Sequence, residues 1–344
     1  MRKNINQPPV TFIMFAYNQE RFIAEAVQGA LSQTYSPLEI IISDDCSDDQ
    51  TYNIINSIVS SYAGSHRIIA RRNETNLGLL RHINTVIGLA GGDLLVVAAG
   101  DDISAPQRTE RLVEVWLKEN AKVIWSNAVV VDQHGKFHGR FYGREIPRIA
   151  TLNDTLYGRS VVAGAMCAWD RSVFDVFGPL KGDMVNEDVI IPFRGALLGK
   201  VCYIDEELIS YRKHGSNLSF FMKLNSSSPL ELIELNRKNQ ANTLRNCLEL
   251  KSLLEKGKNA GITDVDYEAS AAILDQRIKS LNLEVDLLSQ NFRKRLGILL
   301  KNRWVLRGLN QVIKFLLITF SPYFFFLVLR LRFNIKNNWR WRPV

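Results

Sequence analysis

Gly100-Asp101-Asp102 sets two carboxylates on a tight turn directly behind the apolar run Leu94 to Ala99. Carboxylates so placed are ligands for a hard divalent cation, and such a cation offsets the charge of a departing diphosphate. A lone Gly-Asp-Asp turn serves equally well as a solvated helix cap, so it takes its meaning from a second acidic cluster. That cluster is Ser43-Asp44-Asp45-Cys46-Ser47-Asp48-Asp49, which closes another apolar run and can accept hydrogen bonds from a base such as uracil. Two acidic loops at one edge of a sheet crowd negative charge, which is best tolerated where a cation or a donor-rich ligand sits. Arg71 and Arg72 offer positive charge to a base or to phosphates, or simply pair at the surface.

Positioning these loops requires strands that end where the loops begin. Short β-branched runs alternate with helical patterns over the first 130 residues, the pattern of strand-helix-strand units around a largely parallel sheet. The runs predict strands at Val10 to Tyr17, Leu38 to Ser43, Arg67 to Arg71, Leu94 to Ala99 and Lys122 to Val131. Between the first two, Phe22, Ile23, Ala26, Val27, Ala30 and Leu31 line one helix face. Ser47 with Gln50 has capping-box spacing, placing the next helix start just beyond Asp44-Asp45. Each acidic loop then follows the carboxyl end of a strand, where open α/β sheets bind ligands. Farther on, the patterns predict strands around Val161 to Trp169 and at Leu208 to Tyr211, a helix from near Glu187, and long helices over Leu230 to Glu255 and Tyr267 to Gln290.

The net charge of +8 over 344 residues suggests a polyanion partner only until its distribution is examined. From Asn291 to Val344 there are twelve Lys and Arg and no acidic residue, so the preceding chain carries a net −4. This argues against nucleic acid as a partner of the body and assigns the basicity to the tail. Within the tail, Phe315 to Leu331 is apolar apart from Arg330 but broken by Ser321-Pro322. It falls short of the roughly 20 residues of a spanning helix, and aromatic residues with flanking Arg and Lys predict an interfacial or re-entrant membrane anchor. A C-terminal helix docked on the body is the alternative. The polar start, Met1 to Pro9, and the short apolar run after it lack a signal-peptide pattern, which places the chain on the cytoplasmic side. Four cysteines without C-x-x-C spacing predict reduced thiols rather than a zinc site or a disulfide framework. No G-x-G-x-x-G follows the first strand and no G-x-x-x-x-G-K-[ST] occurs, which excludes the dinucleotide and ATPase loops.

Five elements in order now form a pattern: Val10 to Asn18, Ile40 to Asp49, Asn76-Leu77-Gly78 with Asn84, Gly100-Asp101-Asp102, and Asn186-Glu187-Asp188 followed by Tyr211-Arg212-Lys213-His214. This pattern resembles the inverting glycosyltransferases of family 2 over about residues 8–220. The resemblance implies an α/β GT-A fold, a Rossmann-like mixed sheet flanked by helices. Beyond it, the helical patterns predict an extension over 227–290, and the basic aromatic composition a membrane-associating tail over 291–344. The resemblance places a nucleoside diphosphate sugar, UDP-linked as first choice, against Tyr17, Asn18, Glu20, Asp44, Asp45, Arg72, Asn76, Gly78, Asp101 and Arg212. It puts Mn2+ or Mg2+ at Asp102 and His214, and names Asp188, with Glu187 beside it, as the base that activates an acceptor hydroxyl. A helix N-terminus would lower the pKa of either carboxyl.

Where the family often carries a further Asp, this chain has Ala99, and the Q-x-x-R-W motif of processive synthases is absent after Asp188. Transfer of a single sugar to a lipid-linked or saccharide acceptor in surface-polysaccharide synthesis is therefore the expected reaction. Two alternatives stand beside it: a sugar-phosphate nucleotidyltransferase, and a membrane scaffold with a non-catalytic body. The two long helices suit either a homo-oligomer contact or a brace.

Overall fold

The computed structural model describes residues 7–143, 145–157, 164–181, 186–215 and 229–289, with Val162 and Lys294. These fall into two compact units, one carrying every strand and the other two long helices.

The first unit is organised by four parallel strands, β1 (Val10–Ala16), β2 (Glu39–Asp44), β3 (Arg67–Arg72) and β4 (Leu94–Ala99), in the order β3-β2-β1-β4. Register runs without a slip from Thr11 beside Glu39 to Ala16 beside Asp44, and from Val10 beside Leu94 to Phe15 beside Ala99. All seven residues of β1 are buried, because helices cover both faces of a parallel sheet and the strand must be apolar throughout. α1 (Ile23–Leu31) buries Ile23, Ala26, Val27 and Ala30 against Phe12, Met14, Ile40 and Ile42; α2 (Thr51–Ser60) adds Ile55 to that core. α3 (Leu79–Ile87) inserts Leu80, Ile83 and Val86.

Beyond β4 the sheet turns mixed, ten strands in all among the described residues. β9 (Cys167–Asp170) lies antiparallel between β4 and β6 (Ala121–Asp132), and β10 (Lys200–Lys213) runs parallel to β6. β5 (Ile103–Ser104) pairs antiparallel with Ile209 and Ser210 near the end of β10. β7 (Phe137–Arg140) and β8 (Ile149–Ala150) add to β6 and β10. α4 (Arg108–Glu119), α5 (Leu152–Leu156), α6 (Ser172–Phe177) and α7 (Glu187–Leu198) complete this unit.

Three expectations are corrected. The strand placed at Val161 to Trp169 starts only at Cys167, after a single 3-10 turn at Gly164–Met166; residues 158–161 lie outside the described residues. The strand at Leu208 to Tyr211 is the end of the fourteen-residue β10. Asp205-Glu206-Glu207 interrupts its apolar pattern where the register against β6 shifts, and these acids pair with Arg111 and Arg140 instead. The Ser47 capping box does not form: the Ser47 hydroxyl donates to Asp44 Oδ1, and no side chain caps α2 at Gln50.

In the second unit α8 (Pro229–Asn259) and α9 (Tyr267–Ser289) bury Cys247, Leu250, Leu253 and Leu254 on one helix and Leu274, Leu281 and Leu288 on the other. Lys251 Nζ reaches Asp275 Oδ1 at 2.6 Å between them. The basic aromatic tail lies outside the described residues apart from Lys294. Among the described residues no helix is long and apolar enough to cross a membrane.

Candidate active site

Three loops leave the carboxyl ends of adjacent strands β2, β1 and β4; hydrogen bonds tie the first two together, and the third packs closely against the second. Asn18, which adopts a left-handed φ of 52°, donates its N–H to Ser47 Oγ at 2.8 Å, and its Oδ1 accepts the Asp48 N–H at 2.9 Å. The Gln19 N–H reaches Thr51 Oγ1 at 2.7 Å; the Glu20 N–H reaches Asp49 Oδ2 at 3.1 Å, and Glu20 Oε2 accepts from the Gln50 N–H at 3.0 Å. Gly100 packs closely here: a Cβ would stand 2.5 Å from Gln19 Oε1 and 2.8 Å from Ile23 Cδ1, so a side chain would displace both. The Tyr17 ring, 43% exposed, stands open to solvent beside this frame.

Asp44 is fully buried, accepts from the Ser47 N–H at 3.0 Å, and faces Arg72 Nε at 3.4 Å. Arg72 also donates to the Ser47 carbonyl at 2.6 Å and lies over the Tyr52 ring. Asp45 accepts from Asn73 Nδ2 at 2.6 Å and from the Leu77 and Gly78 N–H groups at 2.9 Å. Asn76 Oδ1 takes the Gly78 N–H as well, and the φ of 74° at Gly78 requires glycine where the chain enters α3. Both acids thus hold loops in place by accepting hydrogen bonds, Asp44 from within its own loop and Asp45 from the one after β3. His82 was not singled out by sequence. It is buried with Nε2 2.6 Å from Ser43 Oγ and its ring edge-on to Phe15, and burial lowers its pKa to about 4, so the imidazole is neutral.

The Asp101–Asp102 turn is held from the far side of the sheet. Asp102 Oδ1 accepts the Arg212 N–H at 2.8 Å, and Arg212 Nε donates to the Asp101 carbonyl at 3.1 Å. The guanidinium of Arg212 continues to Glu25 Oε2 at 2.6 Å and lies 4.9 Å over the Phe22 ring, so part of its charge is balanced within the protein. Burial, and then the charge of Asp101, push the Asp102 carboxyl well above the usual carboxylate range. Two acids held side by side in a buried turn repel each other, and a cation relieves that repulsion; the turn therefore fits a divalent metal completed by ligand oxygens and water. Among the described residues no three His, Cys, Asp or Glu side chains gather to hold a metal without such help. Burial and the same two acids also raise the phenol of Tyr211, which places that ring at the turn. His214 is buried and follows β10 by one residue, as the first described residue of the second unit after that strand.

Glu187 and Asp188 open α7, half-buried at its first turn. Their carboxyls are raised rather than lowered: Glu187 to about 7 by burial and then by Asp188, and Asp188 to about 6 by burial. Desolvation outweighs the helix N-terminus here, which corrects the expected direction. Asp188 Oδ1 is shielded from solvent and has no hydrogen-bond partner among the described residues. The Glu187 carboxylate lies over Gly164, where a Cβ would come within 2.7 Å of Oε1.

Both acids bind a proton more tightly in the folded chain than in the unfolded one, so stability falls as pH rises from about 4 through about 7 and levels above. Glu187→Gln should flatten that decline and melt above the wild type at pH 8 while matching it near pH 4. Calorimetry across this range tests the point, and parallel curves would remove the buried-proton account.

Between the two acidic regions stands Arg108, fully buried and also not singled out by sequence. It donates to Ser104 Oγ at 2.9 Å, to the Val97 carbonyl at 2.6 Å and to the Ala165 carbonyl at 3.0 Å. Burial lowers its pKa to about 10, opposed by Cys167 and Asp102, so it stays charged at neutral pH.

Residues 11–178 match the profile described as Glycosyl transferase family 2. The chain is 36% identical over 129 residues to the putative glycosyltransferase EpsE of Bacillus subtilis, covering 37% of this chain and 46% of EpsE. It is 32% identical over 145 residues to the succinoglycan biosynthesis protein ExoO of Rhizobium meliloti, covering 42% of this chain and 40% of ExoO. Less than two thirds of either relative is spanned. Among solved structures, Staphylococcus aureus TarS superposes with a TM-score of 0.52 at 14% identity, over 87% of this chain and 49% of TarS. The mannosyltransferase PcManGT of Pyrobaculum calidifontis, solved with GDP-Man and Mn2+, gives 0.50 at 13% identity over 97% of this chain and 88% of its own. These likenesses establish a shared fold, a mixed sheet flanked by helices. With five motifs in order and loops gathered at the carboxyl ends of β1, β2 and β4, residues 11–178 of the chain are similar to glycosyl transferase family 2.

Proposed function

We propose that the chain is an inverting glycosyltransferase that moves one sugar from a nucleoside diphosphate sugar, UDP-linked as first choice, to an acceptor hydroxyl. The observation that carries this reading is Asp188, whose desolvated and unpartnered Oδ1 has the proton affinity of a base working near neutral pH. The acceptor oxygen attacks the anomeric carbon as its proton passes to Asp188; the bond from that carbon to the diphosphate oxygen breaks, and the nucleoside diphosphate leaves. Tyr17, Asn18, Glu20, Asp44, Asp45, Arg72, Asn76 and Gly78 shape the nucleoside end of the site. Asp101 orients the donor, and Arg212 fixes the turn that carries it. Asp102 would help to hold Mn2+ or Mg2+, which when bound would supply positive charge to the departing diphosphate. Glu187, held up at about 7 by burial and then by Asp188, is only partly ionised at neutral pH, which limits the crowding of negative charge beside Asp188.

A lipid-linked or saccharide acceptor in surface-polysaccharide synthesis accords with the similarity to ExoO, and the basic aromatic tail would hold the chain at the cytoplasmic face of the membrane. A thermal-shift screen against UDP-, GDP-, CMP- and dTDP-sugars, with and without Mn2+, tests the donor assignment. One nucleotide class should raise the melting temperature only with metal, by about 2.7 kcal/mol of added stability at 100 times its Kd. No shift with any of the four would overturn the donor site.

A further inference from the structure

The transferase reading assigns no role to Arg108, yet its guanidinium links several segments of the first unit. From the first turn of α4 its guanidinium bonds Val97, three residues before Gly100, and Ser104, two residues after Asp102. The same group reaches across to the carbonyls of Ala165 at 3.0 Å and Cys167 at 3.5 Å, at the junction into β9. That junction starts at Gly164, directly under the Glu187 carboxylate. The guanidinium is fully buried, lies 5.9 Å from the Phe12 ring centroid, and is therefore fixed by the sheet on its third side. A planar fork with several donors can satisfy acceptors on both sides at once; a lysine ammonium on its flexible stem cannot hold them in one plane.

We infer that Arg108 is a positioning residue that sets the spacing between the Asp101–Asp102 turn and the Glu187–Asp188 pair. It touches neither substrate. It holds Val97 and Ser104 on one side and residues 165–167 on the other, so the turn that orients the donor and the floor beneath the acid pair move together. The inference rests on the transferase reading for its consequence in catalysis, but the mechanical link stands on contacts within the first unit.

The full chain is compared as wild type, Arg108→Lys and Ser104→Ala by three measurements. Hydrogen exchange follows peptides over 97–104 and 164–170. Titration calorimetry with UDP and Mn2+ gives nucleotide affinity. Turnover is read as UDP release from UDP-GlcNAc and GDP release from GDP-mannose. Arg108→Lys should speed exchange in both segments while β2 and β3 stay as in the wild type. Its UDP Kd should stay within about twofold, and kcat should fall roughly 100-fold, as expected when reacting groups are misplaced by about 1 Å. Ser104→Ala removes one acceptor and should show the same pattern at smaller size; it decides the matter if Arg108→Lys does not fold. Faster exchange in only one segment, a uniform loss of protection that follows the melting temperature, or a fall in UDP affinity matching that in kcat overturns the inference. A wild type that releases neither nucleotide counts against the transferase reading alone, because the exchange data still decide whether the two segments are linked.

Discussion

Asp188→Asn is expected to cut turnover by roughly 10³-fold while nucleotide affinity and folding are kept. The amide preserves shape but cannot take a proton, so the loss falls on kcat. Because burial holds the Asp188 carboxyl up at about 6, wild-type activity should climb as pH rises through that value, where the base becomes free to accept a proton. The variant should have lost this acid limb along with its rate. At pH 8 Asp188→Asn should also melt higher than the wild type, since a charge that is poorly solvated in the folded chain has been removed. Higher stability joined to lower activity would separate a catalytic base from a structural carboxylate. Full activity in the variant would end the assignment.

Asp102→Asn should abolish the metal-dependent part of nucleotide binding and lower turnover by about 10²- to 10³-fold, the usual loss when one group that stabilises developing charge is removed. The asparagine Oδ1 can still accept the Arg212 N–H that Asp102 receives at 2.8 Å, so the β10 contact survives. Removing a desolvated charge that faces Asp101 should leave the apo protein as stable as the wild type or more so. Calorimetric titration with UDP in the presence and absence of Mn2+ provides the check. Unaltered metal dependence would move the cation elsewhere in the site.

The strands that carry the chemistry were legible because parallel strands buried on both faces are apolar runs with abrupt ends. Val10–Ala16 and Leu94–Ala99 stop within a residue of their expected limits, and the acidic loops follow at once. What escaped was long-range. β9 enters the sheet from far along the chain, and nothing in its four residues announces an antiparallel strand between β4 and β6. β10 was seen only in part because its middle carries three consecutive acids, whose partners Arg111 and Arg140 are distant in sequence. The directions of the Glu187 and Asp188 shifts were missed for the same reason: a helix N-terminus is visible in sequence, whereas desolvation depends on what packs around it. His82 left a weak trace, a polar residue on the face of α3 that carries Val86. Arg108 left none, since a basic residue in the first turn of an amphipathic helix is ordinarily solvated.

The bonds between the loops after β1 and β2 pair a side chain of one with the backbone of the other, in both directions. Asn18 takes the Asp48 N–H and gives its own to Ser47; Glu20 takes the Gln50 N–H and gives its own to Asp49. Neither loop can drift alone without leaving an amide of its neighbour unmatched. Substitutions at 18 and 20 should therefore be inherited together with changes at 47 and 49, so that the two loops descend as a single unit. The exposed ring at Tyr17 forms none of these bonds, so a substitution there leaves that unit intact.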